Sequence, residues 1–399
     1  MRSKLAPNLG RVCDHHHNQQ TEPDRTGPYY TMSSQIVVIG AGVTGLSCAI
    51  QLQEARHAAA GASEVTIIAR DFPTPFGLVD PKAQINFTSP WGGAHNRWVP
   101  PPVNGQAQPN DLRDHRLALA TFRRMRSLQG SNPEAGITFM KGVEYLENPG
   151  PEYRALTREG GEGSAKALGL EGFRVLERSE LPDDKVSLGV EYDTWCVNPM
   201  VYCSFLLNRF VFRGGRILRR EISRPEEVFE MRHLGGPVKA VVNASGMGFN
   251  DPKSFIIRGQ TCLVANLCPE TVTRQNADGS WTFCVPRNFE GGTIIGGTKE
   301  PNSWDTEPSL EVRERLVRAF VATHPKIADE SGSVRVLKDV VGRRPARHGG
   351  ARLESEEVAP GKIVVHAYGL GGRGYELSWG VAETVQKLLD EASPTKARI

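Results

Sequence analysis

Three glycines spaced Gly40-x-Gly42-x-x-Gly45 are the first residues whose type and spacing could do chemistry. Gly40 suits a tight turn after a strand, and Gly42 lets backbone approach a pyrophosphate. Gly45 lets a helix pack closely on a sheet, Val43 and Thr44 complete the candidate cofactor-binding turn, and the N-terminus of the helix that follows supplies free N–H groups with partial positive charge. The pattern therefore predicts dinucleotide binding, without separating NAD from FAD. Metal chemistry is less favoured. Seven cysteines (13, 48, 196, 203, 262, 268, 284) show no zinc or redox spacing, and His15-His16-His17 has no second ligand cluster.

The elements around the glycines support that chemistry. Ile36-Val37-Val38-Ile39 is a continuous β-branched run, as in a strand buried on both faces of a parallel sheet. Leu46–Ala59 reads as a helix and Val65–Ala69 as the next strand, closed by Arg70-Asp71. An acid thus follows the second strand, as the dinucleotide fingerprint requires. Further on, helices are expected at Leu112–Leu128, Met200–Phe212, Glu311–Thr323 and Trp379–Glu391. Extended segments are expected at Leu188–Trp195, Arg216–Ile222, Val238–Ala244 and Lys362–Ala367, with a turn-rich antiparallel sheet from Phe255. The 399-residue chain carries a net charge of only +3, so neither nucleic acid nor an acidic membrane surface is an expected partner. Its 42 glycines and 27 prolines fall short of the roughly 25–30% that marks a low-complexity chain. The longest apolar candidate, Ile36–Ile50, contains three glycines and falls short of a membrane span.

Separated motifs then recur in a definite order: Thr88-Ser89-Pro90-Trp91-Gly92-Gly93-Ala94-His95, Val242-Asn243-Ala244-Ser245-Gly246, Ile257-Arg258-Gly259-Gln260, Gly296-Gly297-Thr298 and Val341 to Arg347. His366-Ala367-Tyr368-Gly369, Gly374-Tyr375 and Ser378-Trp379-Gly380 complete the series. From about residue 35 to 391 it resembles the fungal D-amino-acid oxidase family of FAD enzymes, which includes D-aspartate oxidases.

The resemblance implies a fold of α/β plus α+β class: a discontinuous Rossmann-type FAD-binding domain (32–100, 196–257 and 340–392) with an inserted mixed or antiparallel β-sheet substrate domain (101–195 and 258–339). It places Arg70 and Asp71 at the adenosine ribose, and Thr88, Ser89, Gly92, Gly93 and Ala94 along the pyrophosphate and flavin edge. Ile222 falls at adenine, Gly246 in the cofactor site, and Gly371, Gly372, Arg373, Gly374, Tyr375 and Glu376 in the turn meeting the flavin. A helix start beyond that turn would favour negative charge on reduced flavin. Arg344 matches the arginine that clamps the substrate carboxylate. Pro345 biases its backbone toward an extended conformation, and its guanidinium can bind a carboxylate bidentately. Neighbouring Arg343 and Arg347 read as solvated basic residues, and Gly372 joins the substrate site.

One position departs from the family. Phe283 stands where a tyrosine usually bonds the substrate carboxylate, removing a hydrogen bond worth roughly 1.5–3 kcal/mol. No acid or base residue is required, because hydride can leave the α-carbon once the amine is neutral. Arg287, Lys299 or Arg373 could favour acidic substrates, whereas His95 reads better as a packing residue than as a substrate contact. The implied reaction turns a D-amino acid into a 2-oxo acid, ammonia and hydrogen peroxide. Two alternatives remain open, a relative oxidising a modified amino acid or amine, and a flavin-binding protein without turnover. Expected partners are the small D-amino-acid substrate, molecular oxygen and a second copy in a homodimer. Residues 1–31 read as a disordered extension, with Met32 an alternative start. Residues 393–399 read as a tail whose Ala397-Arg398-Ile399 is a loose form of the peroxisomal address, with cytosol the alternative.

Overall fold

The computed structural model describes residues 34–57, 64–73, 85–102, 109–157, 161–330 and 332–392. The first third runs β1 (Gln35–Ile39), α1 (Val43–His57), β2 (Glu64–Ala69), β3 (Ala94–His95) and α2 (Pro109–Ser131). It continues with β4 (Ile137–Leu146), α3 (Pro151–Ala155), α4 (Gly161–Ala167), β5 (Arg174–Val175), β6 (Leu188–Val197), α5 (Pro199–Phe212), β7 (Arg216–Arg219) and β8 (Val238–Asn243). Then come β9 (Ser254–Val264), β10 (Thr271–Gln275), β11 (Trp281–Pro286), β12 (Thr293–Gly296), β13 (Glu300–Pro301) and α6 (Leu310–Thr323). The chain closes with β14 (Val336–Arg347), β15 (Arg352–Ala359), β16 (Lys362–Tyr368) and α7 (Gly374–Ala392).

Two sheets organise these elements. The first has strand order β15-β16-β8-β1-β2-β7. Its five strands from β16 to β7 are parallel, and β15 pairs antiparallel with β16. Burial on both faces explains the unbroken apolar run of β1. Ile36 and Val38 pack with Leu46, Ile50 and Trp379 on the helical side, while Val37 and Ile39 pack with Val228, Met231 and Leu234 on the other. The second sheet runs β13-β9-β12-β11-β10-β4-β6-β3, with β14 also pairing along β9. It is mixed, because β10 pairs parallel with β4 whereas β11, β12 and β14 join antiparallel. α6 covers one face of it through Leu316 and Phe320.

Several expected segments shift. α7 starts at Gly374 rather than Trp379, because a single helical turn over Gly371–Arg373 runs straight into it. β7 ends at Arg219, so Ile222 lies beyond the strand. The expected domain limits do not follow the sheets. β14 crosses position 340 and belongs to the second sheet throughout, because its partner β9 holds it to Arg347. α2, placed in the inserted domain by sequence, packs on α7, where Gly380 donates to the Thr121 hydroxyl at 3.1 Å. The expected tails at 1–31 and 393–399 lie outside the described residues. Among those described, no helix is long and apolar enough to cross a membrane, and no side-chain cluster could hold a metal ion.

Candidate functional site

A cleft of about 440 Å³ opens across the C-terminal ends of β1, β2, β8 and β16, the usual crevice of a parallel α/β sheet. Gly40, Gly42, Val43, Thr44, Arg70, Asp71, Thr88, Ser89, Ile222, Gly246, Gly371 and Gly374 all line it. Gly40 turns the chain at φ +105°, and a Cβ there would meet the Ala244 carbonyl oxygen at 2.4 Å. Gly45 lies behind the cleft, where a Cβ would sit 1.9 Å from the Gly40 carbonyl oxygen. Its role is thus to seat α1 on the turn. The Val43 N–H donates to the Ser89 hydroxyl at 3.0 Å, which ties the helix start to the 85–93 loop. The following N–H groups of that first turn have no intrahelical acceptor, so they suit an anionic group. At the far end Arg70 donates to Asp71 at 2.9 Å and reaches Glu221 at 3.4 Å. A glycine cradle at a helix start with a polar far end fits a dinucleotide such as FAD.

The cleft also contains residues that sequence reading passed over. Phe249 and Asn250 have φ values of 52° and 66° and both line it. Consecutive non-glycine residues in this region are uncommon and tend to occur at ligand sites. Their signal was the Gly246-Met-Gly-Phe-Asn run, which reads as an ordinary turn. Asn86 and Phe87 line the cleft as well, just ahead of the motif residues.

Beside the cleft, one face of the second sheet carries the candidate substrate residues. Arg344 on β14 lies opposite Ile257, and Gly342 lies opposite Gly259. A Cβ on Gly342 would touch Thr88 at 3.4 Å, so this face borders the cofactor cleft. The Arg344 guanidinium lies over Gly259, 2.3–2.8 Å from where a Cβ would be, and its Cδ is 3.9 Å from that position on Gly372. Its one hydrogen bond goes from Nη1 to the Thr298 carbonyl at 3.3 Å, and no carboxylate pairs with it among the described residues. Burial lowers its pKa, opposed by the charge of Glu300. A desolvated guanidinium with open donors is suited to an incoming carboxylate. Phe283 packs against Gly296, Gly297 and Gly93, so its face of the pocket is apolar.

The other arginines of this strand are engaged, which corrects the solvated reading. Arg343 is buried, bonds the Asn86 side chain and the Trp304 carbonyl, and stacks on the Trp304 ring. Arg347 pairs with Asp251 at 2.7 Å. The difference is one of alternation along β14, which sends Arg343 and Arg344 to opposite faces.

Other expected contacts lie outside the cleft lining. Ala94 pairs with Val197 in the second sheet, and Gly92 faces the Tyr375 ring. Tyr375 donates to the Ser89 carbonyl at 2.7 Å, bracing the loop from behind. Arg373 is taken up by Glu376 at 2.7 Å and Asp114 at 3.7 Å, so it is not a free cation for substrate. Lys299 is exposed. Arg287 is buried, with its pKa lowered to about 10 by burial, and its Nη2 donates to the carbonyls of Pro90, Trp91 and Gly92 at 2.9–3.4 Å. It anchors the loop. His95 sits on β3, its pKa pushed down to about 3 by burial and by Arg97, so it is neutral.

Comparison with known proteins agrees with this geometry. Residues 35–388 match the family model described as FAD dependent oxidoreductase. The chain is 43% identical over 366 residues to a D-aspartate oxidase of Talaromyces thermophilus, covering 90% of this chain and 95% of that protein. It is 32% identical to a D-amino-acid oxidase of Rubrobacter xylanophilus, covering 90% and 97%. Among solved structures, glycine oxidase from Geobacillus kaustophilus superposes with a TM-score of 0.62 at 17% identity, covering 91% of this chain and 96% of that one. At that identity it is the fold that is shared.

Proposed function

The chain belongs to the family of FAD-dependent oxidoreductases, and from that premise we propose that it oxidises a free D-amino acid, with D-aspartate the first candidate. The observation that carries the reading is Arg344: a guanidinium free of any carboxylate partner among the described residues, on the face shared with Phe283 and beside Gly372. When bound, FAD supplies a two-electron acceptor for the α-hydrogen and passes the electrons to oxygen, so that imino-acid hydrolysis yields a 2-oxo acid and ammonia alongside hydrogen peroxide. The chain binds and orients. Arg344 fixes the α-carboxylate, the Phe283 ring offers an apolar wall without a hydroxyl, and Arg287 and Tyr375 hold the loop between them. Glycines 40 and 42 with the first turn of α1 would hold the pyrophosphate.

Phe283 favours a second reading, oxidation of a modified amino acid or amine. An anaerobic screen of flavin bleaching over D- and L-amino acids and simple amines tests both. Bleaching by D-aspartate or another D-amino acid is expected. Bleaching by amines alone would replace the first reading with the second. We also propose peroxisomal residence through Ala397-Arg398-Ile399, residues outside those described. A fluorescent fusion should lose punctate sorting when the three are removed.

A further inference from the structure

On the side of the second sheet away from the cleft, two thiols meet under α6. Cys268 lies in the β9–β10 loop, itself buried but flanked by exposed Leu267 and Pro269. Cys284 lies on β11, fully buried, with its sulfur 3.4 Å from that of Cys268. His324 caps the C-terminus of α6 and places Nε2 3.8 Å from the Cys268 sulfur. Its Nδ1 faces Glu270 Oε1 at 3.9 Å. No other pair of described cysteines makes a thiol–thiol contact. Cys262 meets Asp339, Cys203 meets Tyr375, and Cys196 meets Met140 and Asn288.

We propose that Cys268 and Cys284 are an oxidation site at which hydrogen peroxide closes a reversible disulfide, with Cys268 as the attacking sulfur and His324 as its proton partner. The proposed activity supplies the oxidant, so the source of peroxide rests on that reading, whereas the reactivity of the thiol pair does not. Hydrogen bonds from Cys284 and His324 hold the Cys268 thiol below its ordinary range against the effect of burial. The same sulfur raises His324, and a helix C-terminus favours the imidazolium. Burial pushes Cys284 up, so it remains a thiol and acts second. A thiolate is the nucleophile in such reactions.

The steps balance. The Cys268 thiolate attacks one peroxide oxygen and breaks the O–O bond, giving a sulfenic acid. The departing hydroxide takes the imidazolium proton of His324 and leaves as water. The Cys284 sulfur then attacks the sulfenic sulfur, its proton passing to His324, and the displaced hydroxide leaves as water with a proton from that ring. Two thiols and one peroxide become one disulfide and two waters. The sulfurs must approach to about 2.05 Å, a modest shift for a side chain on a loop. Cys284 adjoins Phe283 and Val285, both of which pack against Gly93 on the opposite face, so the bond forms one residue from the candidate substrate wall.

The test uses the full-length flavin-loaded protein. Hydrogen peroxide alone should remove two alkylatable thiols and produce a Cys268–Cys284 cross-linked peptide, both reversed by dithiothreitol. In Cys284→Ser, Cys268 should accumulate as a dimedone-trapped sulfenic acid, and His324→Gln should slow cross-linking at least tenfold. Peroxide treatment that leaves both thiols free, or carries Cys268 to sulfinic acid without the cross-link, overturns the proposal. In a separate arm, D-aspartate in air should produce the same peptide, and catalase should suppress it. Cross-linking by reagent peroxide but not by any D-amino acid would keep the thiol site and remove the oxidase as its oxidant source.

Discussion

The cofactor cleft and the substrate face meet along Thr88 and Gly342, yet they are built on different physics. The cleft is built around glycines, a helix start and strand ends, with the closely spaced Gly40–Thr44 turn at its centre and strand-end segments from β2, β8 and β16 around it. The substrate face is made of side chains brought together over long sequence distances, with Gly93, Phe283, Arg344 and Gly372 each from a different segment. The lesson is that binding a common cofactor demands backbone geometry, whereas choosing a substrate demands placed side chains.

The contrast can be broken from either side. The largest effect is expected at the cleft. Gly40→Ala forces a Cβ to 2.4 Å from the Ala244 carbonyl at a positive φ, and should abolish most flavin retention, measured by the flavin-to-protein absorbance ratio. Retention of full flavin content would show that the turn tolerates more than backbone geometry suggests. Next is Glu144→Ala on the substrate sheet. Glu144 is fully buried and accepts from Arg97 at 2.8 Å, Tyr153 at 3.1 Å, Gln275 at 2.5 Å and Tyr192 at 3.4 Å. Stranding the Arg97 charge should cost about 3–5 kcal/mol in denaturant unfolding.

A smaller effect confined to substrate is expected from Arg344→Ala. Losing charged hydrogen bonds of about 1.5–3 kcal/mol should raise KM for a D-amino acid roughly 10- to 150-fold, with flavin content unchanged. An unchanged KM would remove Arg344 from the site. The smallest effect concerns pH and returns to the cleft edge. Burial raises the Asp251 carboxyl, but Arg347, the Lys253 N–H and the Tyr368 hydroxyl together hold it well below the usual carboxylate range. A depressed pKa stabilises the fold above the unfolded value, and that contribution is lost as pH falls through the folded one. Asp251→Asn should therefore lower Tm at neutral pH, with the difference shrinking as pH falls below about 4.

Legibility followed the same division. The β1–glycine turn–α1–β2 unit was readable because its signals are local: an apolar run, three glycines at fixed spacing, and an acid after the next strand. The start of α7 at Gly374 was not readable, since glycines signal a turn until packing against α1 and α2 makes them helical. Nor could spacing assign the three candidate cations. Arg373 is taken up by Glu376 within the first turn of α7 and by Asp114 from α2, and Arg287 is buried against carbonyls of the 90–92 loop, so its state and half of that of Arg373 depend on partners far away in sequence.

By itself, then, the sequence determined the class of fold and the place of the glycine turn, and it singled out Arg344 as the candidate carboxylate ligand, because each follows from local patterning or an ordered set of motifs. Only the tertiary structure decided that, among the described residues, Arg344 keeps a single hydrogen bond while Arg343 is held by Asn86 and Trp304 and Arg347 by Asp251, that β14 belongs to the second sheet, and that Cys268 meets Cys284. Those outcomes depend on strand alternation and on pairing between distant segments, and one residue of register would reverse which side chain faces the site.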